Sequence, residues 1–269
     1  MPEGHTIHRL ARDHATWFAG SPVRVSSPQG RFAAAAALLD GQPLEGTEAY
    51  GKHLFHRYGV GRTVHVHLGL FGRFFVHDNP APAPRETARY RLVGTERTTD
   101  LVGATACELL TDDEVAQIIG RLGPDPIRDD ADPNRAFAAL QRRTVGIGRA
   151  LMDQKVLAGV GNVYRAEVLF VHGVHPERPA RDVDRTTFEA IWATLVTWMR
   201  RGVRERRIIT TDPAEIGRPR SRMRREDATY VYKQERCRRC GAEIRRYDLA
   251  GRWAYVCEAC QPLPRAVAA

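Results

Sequence analysis

The chain has 269 residues, 43% hydrophobic and 27% charged, an ordinary balance for a folded protein that excludes wholesale disorder. No apolar run approaches the roughly 20 residues that span a bilayer. The opening Met1-Pro2-Glu3-Gly4-His5 has no basic segment followed by an apolar one, so the expected compartment is the cytosol. Lys and Arg number 41 against 32 Asp and Glu, and the whole excess of +9 falls within residues 200–253, a local field suited to a polyanion such as nucleic acid.

Residues 4–18 predict an amphipathic helix with Ile7, Leu10, Ala11, His14, Trp17 and Phe18 on one face, stopped by Gly20 and Pro22. Residues 21–110 change character. Short β-prone runs at 23–25, 53–55, 64–68 and 74–76 alternate with glycine and proline turns, which predicts a sandwich or barrel. Residues 79–85, with three prolines, read as a loop. From 112 the pattern turns helical. Thr111-Asp112-Asp113-Glu114 is a capped start, and helices are expected over 132–142, 148–157, 162–171 and 185–201. Residues 208–229 have no periodicity and several arginines, so a mobile loop is expected there.

Cys237-x2-Cys240 and Cys257-x2-Cys260 are separated by 16 residues, a spacing that lets four thiolates converge on one zinc ion with a hairpin between them. Four thiolates leave no open position, so such a zinc is structural. Arg245, Arg246 and Arg252 lie between the pairs and could reach a phosphate or a base edge, and the sequence does not choose among them. Cys107 reads as a small buried residue. Only Lys52, Lys155 and Lys233 are lysines, and an amine can do chemistry that a guanidinium cannot.

Several motifs in order resemble the bacterial formamidopyrimidine-DNA glycosylase and endonuclease VIII family, the endonuclease VIII branch more closely. They are Met1-Pro2-Glu3-Gly4, Gly51-Lys52-His53-Leu54-Phe55, Leu122-Gly123-Pro124-Asp125-Pro126, Leu151-Met152-Asp153-Gln154, Gly159-Val160-Gly161-Asn162 through Glu167, and the four-cysteine finger with Gly251-Arg252. The resemblance covers nearly the whole chain. It implies an α+β multidomain fold: an N-terminal β-sandwich with flanking helices (1–111), a helix-two-turn-helix domain with an arginine-rich loop (112–229), a zinc-ribbon-like β-hairpin finger (230–262) and a tail (263–269). It also implies a monomer that holds damaged or abasic double-stranded DNA in a cleft between domains, away from any membrane and associated with the nucleoid.

The activity implied is removal of oxidised bases followed by nicking at the abasic site. By resemblance, Pro2 becomes the N-terminal amine once Met1 is removed, and attacks the sugar C1′. Glu3 is the matching acid, Lys52 assists β-elimination and contacts phosphate, and Arg252 binds the phosphate beside the lesion and serves δ-elimination. Asn162 and Arg121 match DNA contacts. A stacked base must be flipped out before attack, and Gly69-Leu70-Phe71-Gly72 matches the void-filling loop, with Leu70 and Phe71 as wedges. The chain departs from the family pattern at Thr6, at Gly69 and in residues 230–236. Oxidised pyrimidines are the expected substrates. The alternatives are a purine-directed enzyme acting on 8-oxoguanine or formamidopyrimidines, and a zinc-finger DNA-binding protein without catalysis.

Overall fold

The computed structural model describes residues 2–263; Met1 and residues 264–269, which include most of the expected tail, lie outside the described residues. Helix α1 (Gly4–Phe18) buries Ile7, Leu10, Ala11, His14 and Phe18, the stripe its spacing predicts. Full burial of side chains such as Ile7 and Phe18 stabilises by about 1.5–3 kcal/mol each. After β1 (Arg24–Ser26), an unanticipated helix α2 (Ala33–Leu39) interrupts the β region. Its five alanines and two leucines are strong helix formers, a signal masked by the β-rich surroundings.

Seven strands follow: β2 (Gly46–Tyr50), β3 (His53–Arg57), β4 (Thr63–His67), β5 (Arg73–Asp78), β6 (Tyr90–Val93), β7 (Arg97–Val102) and β8 (Ala106–Leu110). They form two antiparallel sheets, ordered β1-β6-β7-β5 and β2-β3-β4-β8. Val25, Leu92 and Leu101 from the first sheet join Leu54, Val64 and Val66 from the second, with Ile7 and Phe18 of α1, in one core. The expected β-sandwich with flanking helices is therefore present. α3 (Asp112–Gly120) starts on the Thr111 capping box, Thr111 accepting from the Glu114 amide and Glu114 accepting from the Thr111 amide.

The chain divides after Arg121 into two compact units. The second opens at Leu122, followed by Gly123, where a Cβ would lie 2.4 Å from the Val156 carbonyl oxygen, so only glycine permits this approach. It contains α4 (Pro133–Gln141), α5 (Ile147–Ala150), α6 (Asn162–Val171), α7 (Arg185–Glu205) and α8 (Pro213–Ile216). α7 buries Phe188, Ile191, Leu195 and Met199 against α6 residues such as Tyr164 and Val168.

The expected helix over 148–157 is corrected: α5 ends at Ala150, and residues 151–159 form successive turns. Side chains there compete for the backbone. Asp153 accepts from the Lys155 amide, and Gln154 donates to the Met152 and Val160 carbonyls while accepting from the Gly159 amide.

Residues 208–229 are likewise not an unstructured loop. They form α8 and two short 3-10 turns, pinned by Arg220 donating to the Ile209 carbonyl at 2.6 Å and by Arg218 pairing with Asp227. The last element is a hairpin, β9 (Arg245–Asp248) paired with β10 (Trp253–Val256). Among the described residues no helix is long and apolar enough to cross a membrane.

Candidate active site

In the first unit, Pro2 is half-buried and stands directly before α1. Glu3 is the helix N-cap with extended backbone, and it has no solvent exposure. A buried charged residue at a helix start is costly unless the fold uses it. His5, one residue into α1, is held neutral: burial, then repulsion from Arg9, pushes its pKa down to about 3. Thr6 hydrogen-bonds the His5 ring at 3.2 Å.

Lys52 is half-buried in the turn joining β2 to β3. Its charge bears on His53 and His67, which face one another across β3 and β4, and so helps keep both rings neutral. Their pKa values are lowered chiefly by burial, His53 to about 3.

The 69–72 segment is a tight turn between β4 and β5, closed by the Gly72 amide donating to the Leu68 carbonyl at 2.9 Å. Gly69 has φ +64°, and a Cβ there would collide with the Thr105 hydroxyl, so this turn requires glycine. The turn leaves Phe71 85% and Leu70 45% exposed. Arg121 is the exposed C-cap of α3.

The second unit brings Asn162 to the finger. Asn162 opens α6 after Gly159, whose φ is +86°, and Gly161. Its side-chain amide donates to the Trp253 carbonyl at 3.1 Å, and Arg165 donates both to that carbonyl at 2.9 Å and to the Asn162 side-chain oxygen. Arg252, the neighbour of Trp253, sits exposed at the hairpin tip. The tip is a two-residue turn whose central Ala250 and Gly251 both have positive φ, at 56° and 75°, the turn hand that suits a twisted hairpin.

The structure also separates the three arginines. Arg245 pairs with Glu258 at 2.6 Å, and the Arg246 guanidinium lies 4.5 Å from the Trp253 ring centre. Arg252 makes no ion pair among the described residues.

Beneath the hairpin, the sulfurs of Cys237, Cys240, Cys257 and Cys260 all lie within 4.8 Å of one another. Cys237–Cys260 is 3.8 Å and Cys240–Cys257 is 3.4 Å. These are not disulfides, which need about 2.05 Å. Metal–sulfur bonds of about 2.3 Å in a tetrahedron place the sulfurs about 3.8 Å apart, so the four thiols fit one metal ion.

Three residues that the sequence reading quoted but gave no role organise this unit. Gln154 builds the turn before α6, Arg165 ties α6 to β10, and fully buried Glu167 accepts from the amides of Tyr230, Val231 and Tyr232 and from the Thr210 hydroxyl. Burial pushes the Glu167 pKa up, against the four donors that pull it down. An Arg and a Glu inside an otherwise apolar helical run were the available signal.

Residues 1–103 match the formamidopyrimidine-DNA glycosylase N-terminal domain, and residues 122–213 match the formamidopyrimidine-DNA glycosylase H2TH domain. Endonuclease 8 1 of Mycobacterium tuberculosis is 49% identical over 268 residues, covering 97% of this chain and 100% of the relative. A formamidopyrimidine-DNA glycosylase of Acidothermus cellulolyticus is 31% identical, covering 98% of each chain. The crystal structure of a Lactococcus lactis formamidopyrimidine-DNA glycosylase mutant with Fapy-dG DNA superimposes with a TM-score of 0.79 at 22% identity, over 97% of this chain and 100% of that one. With both domains matched and half the residues shared with a full-length relative, the chain belongs to the formamidopyrimidine-DNA glycosylase and endonuclease 8 family, an enzyme family of DNA glycosylases and abasic-site lyases.

Proposed function

We propose that this enzyme removes oxidised pyrimidines from double-stranded DNA through an N-terminal proline amine and then nicks the strand by β- and δ-elimination. The observation that carries the reading is the Pro2-Glu3 pair at the N-terminus of α1, with Glu3 wholly buried. A zinc-finger binder without catalysis has no use for that pair. The 49% identity to an endonuclease 8 supports that branch of the family, and the pyrimidine preference is inferred from the branch.

Removal of Met1 converts the Pro2 nitrogen from an amide to a secondary amine. Peptide α-amino groups titrate at about 7.7–8.0, and the positive end of a helix disfavours the ammonium form, so a nucleophilic fraction exists at neutral pH. The nitrogen lone pair bonds to C1′ as the base departs. Glu3, shielded from bulk water, delivers a proton to the ring oxygen as the C1′–O4′ bond opens, leaving an iminium. Lys52 stabilises the strand phosphate and assists loss of the 3′ phosphate. Arg252 holds the phosphate beside the lesion for the second elimination, while Asn162 and Arg121 contribute DNA contacts. Leu70 and Phe71, exposed on their turn, fill the gap left by the flipped base.

The cysteine cluster holds one zinc, which supplies no reactive position and keeps the Arg252 hairpin folded. The protein acts as a cytoplasmic, nucleoid-associated monomer.

The test is incision of duplexes that carry an oxidised pyrimidine, 8-oxoguanine, an abasic site or no damage. Preferred cutting of the pyrimidine lesion supports the reading. Preferred cutting at 8-oxoguanine would make the enzyme purine-directed, and binding without any cutting would make it a binder.

A further inference from the structure

One face of the β2-β3-β4-β8 sheet carries a row of imidazoles that the family comparison does not explain. Strand register puts His53 opposite His67, Phe55 opposite His65 and His65 opposite Glu108, so all five side chains share a face. The opposite face, with Leu54, Val64, Val66 and Cys107, is the sandwich core. His53 Nδ1 lies 2.9 Å from His65 Nε2, and the two rings stack with centres 5.1 Å apart and an 18° tilt. His65 is buried, and its Nδ1 has no hydrogen-bond partner. The Glu108 carboxylate stands 3.7 Å from that nitrogen on a side chain that is 54% exposed, so a small rotation closes the bond.

Closing that bond sets the tautomers. With a carboxylate at His65 Nδ1, that nitrogen carries the proton and Nε2 accepts. His53 Nδ1 must then donate, which leaves the Nε2 lone pair of His53 uncommitted. Lys52 immediately precedes this ring in the chain.

We propose that His53 is a proton acceptor in strand cleavage at the abasic site, held in its acceptor tautomer by His65 and Glu108 as positioning residues. The inference rests on the lyase reading above. His53 Nε2 takes the C2′ proton of the imine intermediate. The C2′–H electron pair becomes the C2′=C3′ double bond, and the C3′–O bond breaks with its electrons leaving on the 3′ phosphate.

Burial, His65, His67 and Lys52 together hold His53 neutral, pushed down to about 3, so a ring that kept the proton would be a poor base. The relay removes that difficulty. As Nε2 gains a proton, Nδ1 passes its own to His65, and His65 passes its Nδ1 proton to the half-exposed Glu108 and solvent. No imidazolium persists beside Lys52.

The other groups near the rings are accounted for. Tyr50 and Glu48 lie opposite His53 and Phe55 on β2, and Glu48 is paired with Arg57. From α1, His14 faces His56 on the core side, and Asp112 of α3 binds the Gly61 amide beyond the start of β4.

Two measurements on the untagged full-length protein decide the matter. Nitrogen-15 histidine spectra should show His53 and His65 both protonated on Nδ1 at neutral pH, with the His65 proton weakened by Glu108→Ala. Single-turnover cleavage of an abasic duplex should fall about 100-fold in His53→Ala, and about tenfold in Glu108→Ala, more than borohydride trapping falls in the same variants. Added imidazole should restore cleavage in His53→Ala. Glu108 is exposed, so its variant tests the relay without disturbing the core.

A His53 ring protonated on Nε2, or cleavage and trapping falling together without imidazole rescue, would overturn the proposal while wild-type trapping upheld the lyase reading. A wild type that traps no adduct would remove both, and is told apart by that control.

Discussion

The side-chain amide of Asn162 donates to the carbonyl of Trp253 at 3.1 Å, linking the first residue of α6 to the strand that begins beside Arg252. Arg165 makes a second bond to the same carbonyl at 2.9 Å. Asn162 and Arg165 thus share one anchor, a carbonyl 91 positions beyond Asn162 in sequence. The strand that begins beside Arg252 is tied to the helix, and not held by the hairpin alone.

Asn162→Ala should therefore act on the finger as well as on DNA contact. It leaves Arg165 without its side-chain acceptor and should cost about 1–3 kcal/mol of stability, measurable by urea denaturation. The ratio of δ- to β-product should fall in parallel with the Arg252→Ala variant. An unchanged product ratio would separate Asn162 from the finger.

Glu167 gives a sharper stability test. Its carboxylate gathers three backbone amides and one hydroxyl at 2.6–2.9 Å inside the second unit. Glu167→Gln turns two of those acceptor positions into donors facing donors. The expected loss is about 2–4 kcal/mol, with residues 230–232 gaining amide hydrogen exchange first.

The buried histidines predict acid sensitivity. His14 and His56 bond to each other at 3.0 Å in the core, and burial pushes both down, His56 to about 3. Unfolded histidine titrates near 6.5, so between pH 6.5 and about 3 the unfolded chain binds protons that the native chain refuses. Stability falls as pH falls through that window and is flat above it. At pH 5.5 each such histidine should cost about 1 kcal/mol relative to pH 7.5, read from urea midpoints. Replacing both with a size-matched apolar pair should flatten the slope.

Metal removal should act locally. The native protein should contain one zinc per chain, and chelation should unfold the finger hairpin and weaken binding to undamaged duplex. The 200–253 region should also give that binding a steep salt dependence. A native protein without stoichiometric zinc would sink the metal assignment.

Much of this was legible in the sequence because the signals were local. The Ile7–Phe18 stripe gave α1, the Thr111 capping box gave α3, and the cysteine spacing gave the cluster. What was not legible depended on partners far away in sequence. The 148–157 stretch has helical composition, yet Asp153 and Gln154 take its backbone into turns. Residues 208–229 lack periodicity, yet Arg218 and Arg220 fold them through Asp227 and the Ile209 carbonyl. Residue spacing alone left Arg245, Arg246 and Arg252 equivalent, and only the family resemblance singled out Arg252. The contacts of Arg245 with Glu258 and of Arg246 with the Trp253 ring depend on packing the sequence does not display.

The most direct test of the central claim is borohydride trapping on a duplex with an oxidised pyrimidine, comparing protein that begins at Pro2 with protein that keeps Met1. The account predicts a covalent adduct at Pro2 in the first and none in the second. An adduct of equal yield when Met1 is retained would contradict the N-terminal amine mechanism.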